Sequence, residues 1–196
     1  TAKHRLFYAR MRSRLEQNRY LITDRLINAL EYGVPQSRER AIAIGFKSDL
    51  VPMKLRNELG SQFPWDRNKL FSIDKVLSPP WSKTDPFGEN SSLSCPVGIP
   101  VNLTVQHWFE KNDVNHHPNS HHCFTPRAGL SRFLSVLEGD DSKKSYKRLH
   151  RWRYSPTACY GNNEVHLHPY QARRISVAEA LAIQSLPPEF ELPAKM

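Results

Sequence analysis

Residues 41–46 read Ala-Ile-Ala-Ile-Gly-Phe, and this unbroken apolar run constrains the fold more than any other stretch of the chain. Such a run suits a buried strand of an α/β sheet. A second β-type segment, Ile22 to Leu30, precedes it. Gly33 and Pro35 force a turn between the two. The turn carries Gln36, Arg38 and Arg40, each two residues from the next. In an extended segment these side chains project from one face. Two guanidiniums and an amide at a strand mouth suit a phosphate, a base edge or a carboxylate.

The run from Tyr20 to Leu50 resembles DNA (cytosine-5) methyltransferases at the segment called motif VIII, Gln-x-Arg-x-Arg. Its flanks match as well, with Asn28-Ala29-Leu30 before it and Phe46-Lys47-Ser48-Asp49-Leu50 after it. A second stretch, from Arg173 to Pro187, looks like the family's motif IX. Ser176 is a helix N-cap candidate there, and Glu179 completes a capping box. Ala180, Ala182 and Ile183 give the helix an apolar side, and Pro187-Pro188 stops it. Tyr154-Ser155-Pro156-Thr157 and His168-Pro169 also recur in this family ahead of motif IX.

Several family parts are absent from these 196 residues. No cysteine follows a proline: Ser94, His122 and Ala158 precede Cys95, Cys123 and Cys159. The Glu-Asn-Val segment and the Phe-x-Gly-x-Gly loop for S-adenosylmethionine are missing, and none of the eight glycines is spaced Gly-x-Gly. Gly161-Asn162-Asn163-Glu164-Val165 imitates the closing motif poorly and reads as a turn. The expectation is the later portion of a family member, or a subunit. An N-terminal chain or segment would then supply the Pro-Cys nucleophile and bind most of the S-adenosylmethionine.

The resemblance implies the edge of a Rossmann-like α/β sheet plus an irregular, β-rich target-recognition domain. The implied divisions are 1–46 for the catalytic part, 47–172 for recognition, and 173–196 for the motif IX helix and tail. Prolines 79, 80, 86, 96, 100, 118 and 126 punctuate the middle part. Residues 1–19 read as a helix with Leu6, Met11 and Leu15 roughly on one side and arginines between. Either a solvated surface helix or a DNA-contacting one fits that pattern.

The chain carries 28 Lys and Arg against 19 Asp and Glu, a net charge of +9, which favours a polyanion such as double-stranded DNA. A mean hydropathy of −0.61 with 15 prolines fits a piece that leans on a partner surface. Three irregularly spaced cysteines give no disulfide framework and suggest a reducing compartment, cytoplasmic in a bacterium or nuclear in a eukaryote. No apolar run is long enough to span a membrane, and no signal peptide is visible.

The densest basic stretch holds Lys143, Lys144, Lys147, Arg148, Arg151 and Arg153 among Tyr146, Trp152 and Tyr154. These cations, with Asn162, are DNA-binding candidates, because lysine and arginine displace counterions from phosphates. The opposing reading is a solvated basic loop with Trp152 and Tyr154 as core anchors. His116, His117, His121, His122 and Cys123 cluster, but their spacing matches no standard zinc site, and no metal is expected. Cys159 reads as a packing residue.

Through the resemblance, Arg40 would contact the O2 of an extruded cytosine and stabilise charge in the adduct. Arg38 would brace the site or a phosphate, with an Arg38–Glu39 ion pair as the plainer reading. Gln36 would reach the DNA near the gap left by the base. Arg173 and Glu179 would organise the recognition domain.

Overall fold

A computed structural model describes residues 2–56, 63–123, 131–143, 145–157 and 166–193. The chain divides into two compact units, Thr1–Ile27 with Glu39–Lys69, and Asn28–Arg38 with Leu70–Met196. The described residues among 47–69 thus belong with the two long strands, and the arginine turn begins in the unit that holds the motif IX segment.

In the first unit, helix α1 (Ala2–Gln17) leads into strands β1 (Tyr20–Asn28) and β2 (Glu39–Lys47), which form a two-stranded sheet. A one-turn helix, α2 (Met53–Arg56), follows. Polar pairs and rings hold this unit. Arg12 bonds Glu16 at 3.0 Å and also pairs with Asp24. Trp65 Nε1 donates to the buried Thr23 hydroxyl at 3.1 Å, and Arg25 meets Asp66 at 2.7 Å. The rings of Phe46, Phe63 and Trp65 pack in sequence at tilted angles. Val51 is the one buried apolar residue of this unit among those described.

Strand β2 departs from expectation. Residues 39–43 are all exposed, with Ile42 at 38% and Ile44 half-buried. A strand apolar on both faces needs layers on both sides to cover it, and a two-stranded sheet among the described residues supplies none. Helix α1 leaves Leu6 and Phe7 at 55% and 72% exposure for want of an apolar surface to cover them.

The second unit has little regular structure and three apolar clusters. Its helices are α3 (Ile73–Leu77), α4 (Val105–Lys111), α5 (Arg132–Ser135) and α6 (Val177–Ala182). Its only sheet among the described residues pairs β3 (Lys147–Arg148) with β4 (His166–Leu167) in parallel. Among the described residues of this unit, loops and short helices outnumber paired strands. Prolines and short polar runs interrupt every ladder before it lengthens. Helix α6 is buried at all six positions and packs with Val105, Phe109, Val114 and Leu149. Three of its residues are alanine, small enough for a close approach. The capping box read from Ser176 and Glu179 is present, with Glu179 N donating to Ser176 Oγ at 3.2 Å and Ser176 N to Glu179 Oε2 at 2.7 Å. The other clusters centre on Leu30, Val76 and Leu103, and on Phe133, Val136 and Leu167.

Candidate functional site

The arginine turn is built from backbone inward. Asn28 caps a single 3-10 turn over Ala29–Tyr32, with Leu30 N donating to its Oδ1 at 3.1 Å and its own N–H donating to Glu31 at 3.2 Å. Gly33 ends that turn at φ 84°, where a Cβ would also lie 2.9 Å from Leu70 Cδ1. A left-handed backbone in so tight a place is a glycine requirement. Beyond it several backbone groups find partners. Ser155 N donates to Pro35 O at 2.8 Å, Ser37 N to Ser155 O at 2.9 Å, and Ala29 N to Arg38 O at 3.0 Å. Arg38 N donates to Asn28 Oδ1 at 3.3 Å, and Thr157 Oγ1 donates to Ser37 O at 2.8 Å.

The three motif residues do not share an exposed face. Gln36 is 2% exposed, and its amide nitrogen has no acceptor among the described residues. It forms a bridge to Ser155 instead of extending β2, so the side-chain alternation expected of a strand does not begin until Glu39. The Gln36 side chain is enclosed by protein. Arg38 is half-buried. In the other unit Arg40 is exposed, with Nη1 on the carbonyl of Glu39 at 2.6 Å. Neither guanidinium meets a carboxylate among the described residues, so the Arg38–Glu39 brace is not formed.

The basic stretch separates into two kinds of residue. Lys143 is exposed and Lys147 half-buried, while Lys144, Asn162 and Cys159 lie outside the described residues. Arg148 is fully buried. Its Nε donates to Val136 O at 2.9 Å, Nη1 to His168 O at 2.6 Å and Gln171 O at 3.1 Å, and Nη2 to Phe133 O. Its guanidinium carbon lies 3.7 Å from the Phe87 ring centre. Burial lowers its pKa to about 10, and it stays charged at neutral pH.

Arg151, 4% exposed, pairs with the fully buried Glu138 through Nε at 2.9 Å and Nη2 at 2.8 Å, and donates to Ser91 as well. Arg153 donates to Ser82, Lys83 and Gly139 carbonyls and meets Asp141 at 3.3 Å. These three guanidiniums are committed to protein acceptors. A loop-rich domain leaves carbonyls without ladder partners, and the guanidinium fork satisfies several at once. The aromatics are anchors too: Trp152 Nε1 donates to Leu93 O at 2.7 Å, and Tyr154 packs edge-on to Trp81. Sequence reasoning missed Glu138, because a lone acidic residue before Gly139 carries no local signal of burial.

Arg173 and Glu179 form a two-pronged ion pair at 2.6 and 2.9 Å. His168 Nδ1 accepts from Tyr170 N at 3.2 Å, which places its proton on Nε2, 3.5 Å from Glu179. Burial first, and then Arg173, Arg148 and Arg151, lower the His168 pKa to about 2. The histidine-rich segment runs beside this knot: Val177 N donates to His122 O at 2.8 Å, and Cys123 bridges to Ser176. No cluster of three potential metal ligands occurs among the described residues. His117 is 7% exposed and accepts from Asn119 N, while Asn119 grips the backbone of Leu192 from both sides at 3.1 and 3.0 Å.

Hollows of about 350 and 280 Å³ in the second unit are lined chiefly by polar side chains, with no glycine turn at either. No described helix is long and apolar enough to cross a membrane.

Comparison with known proteins gives three matches. The family model for C-5 cytosine-specific DNA methylase matches residues 1–196. The Type II methyltransferase M.NmeDI of Neisseria meningitidis serogroup C is 54% identical over 196 residues, which cover 100% of this chain and 44% of that protein. A solved structure from E. coli, described as a prophage-encoded DNA modification methyltransferase, overlaps more loosely. Its TM-score is 0.45 and its identity 20%, over 89% of this chain and 53% of that one. The chain spans less than half the length of its curated relative and belongs to the C-5 cytosine-specific DNA methylase family.

Proposed function

We propose that this chain is the recognition-bearing, C-terminal portion of a DNA (cytosine-5) methyltransferase and contributes the motif VIII arginines to the reacting base. The observation that carries this reading is the arginine turn, whose backbone from Ala29 to Arg38 is bonded at several points and whose Arg38 guanidinium meets no carboxylate among the described residues; Arg40, in the other unit, is exposed and likewise meets none. A donor fixed in advance where negative charge develops stabilises a transition state without reorganising. Carbon 5 of a stacked cytosine is out of reach, so the base leaves the duplex before it reacts. Arg40 then donates to its O2, and Arg38 holds the turn's approach to base or phosphate. The thiolate, the ring-nitrogen carboxylate and the S-adenosylmethionine site belong to an N-terminal part. Lys143 and Lys147, the described basic candidates not locked into the interior, contact phosphates of double-stranded DNA.

Methyl transfer from labelled S-adenosylmethionine to mixed-sequence DNA tests the reading. The chain alone gives none. The chain with an N-terminal part carrying Pro-Cys, Glu-Asn-Val and a glycine loop gives transfer. In that pair Arg40→Ala lowers turnover by about 100-fold, the scale of losing one preorganised donor, with little change in DNA affinity. Sequence-specific binding by the chain alone, with no partner that restores transfer, would instead mark a non-catalytic DNA-binding module.

A further inference from the structure

A single peptide unit in the arginine turn is held from both ends by side chains far away in sequence. The carbonyl of Ser37 accepts from Thr157 Oγ1 at 2.8 Å, and the N–H of Arg38 donates to Asn28 Oδ1 at 3.3 Å. These partners lie 120 and 10 residues away. The unit's flanks are tied down as well, by Ser155 on Ser37 N and Ala29 on Arg38 O.

We infer that Thr157 and Asn28 are positioning residues for methyl transfer, clamping the Ser37–Arg38 peptide plane and so fixing the direction in which the Arg38 side chain leaves the backbone. This rests on the functional reading above.

Backbone bonds from Ser155 and Ala29 already fix where the turn sits. A peptide plane with its neighbours pinned can still rock about its Cα–Cα axis, because ψ of one residue and φ of the next compensate. Two side-chain bonds on opposite ends of the plane oppose that rocking. Thr157 stands at the end of the Tyr154-Ser155-Pro156-Thr157 run, whose tyrosine is packed against Trp81 and the Leu30 cluster. The hydroxyl therefore projects from an anchored segment. Asn28 has a double task, since the same Oδ1 also accepts from Leu30 N. Thr157 is the cleaner handle, because its only hydrogen bond among the described residues goes to Ser37.

The test uses the two-part enzyme. Thr157→Val keeps shape and removes the donor, and Thr157→Ser keeps the donor. The clamp predicts that Thr157→Val lowers kcat by about 10- to 100-fold, as a small misplacement of a reacting group does. The DNA dissociation constant and the melting temperature stay close to wild type, and Thr157→Ser recovers most of kcat. Amide exchange at Arg38 speeds up at least tenfold in the valine variant. Unchanged kcat in Thr157→Val overturns the clamp, as does a kcat loss that only tracks a fall in melting temperature or goes unrecovered by serine. An inactive wild-type pair overturns the functional reading itself, which a defective variant of an active pair leaves standing.

Discussion

A guanidinium buried among carbonyls is a different object from one on a surface, and Arg148 shows the difference. Its donors close on four backbone carbonyls from two segments, 133–136 and 168–171, and no carboxylate among the described residues bonds it. Arg148→Met keeps the stem and orphans those acceptors, so it destabilises the chain by about 3 kcal/mol or more. Urea denaturation measures this, and a change within 0.5 kcal/mol of wild type would mean the loops hold without it.

Lys143→Ala acts oppositely. It leaves stability alone and lowers the slope of log affinity against log salt on DNA by about one. His168 makes stability depend on pH. Its folded pKa, about 2, lies below the ordinary histidine value, so the unfolded chain takes up a proton first as pH falls through the mid-six range. Stability is whole above that range and declines below it, by about 1.4 kcal/mol at pH 5.5. His168→Gln flattens this part of the pH profile of melting temperature. An identical slope in the variant would assign the effect elsewhere.

Elements obey more local rules. Helix α6 begins where Ser176 accepts from Glu179 N, and six residues suffice because every one is buried. Ser176→Ala removes the cap and costs about 1 kcal/mol, read as a lower denaturation midpoint with helix content kept. The cap, the Gly33 turn and both long strands were legible in sequence, because each depends on residues within a few positions of one another. The side on which β2 is covered was not. Its six apolar residues state that a strand must be enclosed, and contain nothing about whether the enclosing layers are present. The role of the 143–154 stretch was illegible for a related reason. Lysine and arginine look alike as charge, and only contact geometry separates Lys143, exposed, from Arg148, fully buried.

At the scale of the whole molecule the two units differ in what stabilises each. The second carries three apolar clusters, and the first buries Val51 alone among its described apolar residues. Hydrogen exchange on the chain by itself is expected to show α6 and the Leu149 region far more protected than β2, whose amides open at low free energy. Adding the N-terminal part of the enzyme then slows exchange in β2. Equal protection of β2 with and without that part would show the strand needs no further cover.

The sequence alone determined the local punctuation: a glycine where the backbone turns left-handed, a serine and glutamate that cap one another, and the Gln-x-Arg-x-Arg spacing that places the chain in its family. These are short-range facts of sterics and hydrogen bonding, complete within a few residues. The tertiary structure decided which charges are buried and which atoms steady the turn. Arg148 meets carbonyls up to 23 residues away, and Ser37 meets Thr157 across 120. Such partners are chosen by which backbone groups the fold leaves unsatisfied, a property no neighbouring residue encodes.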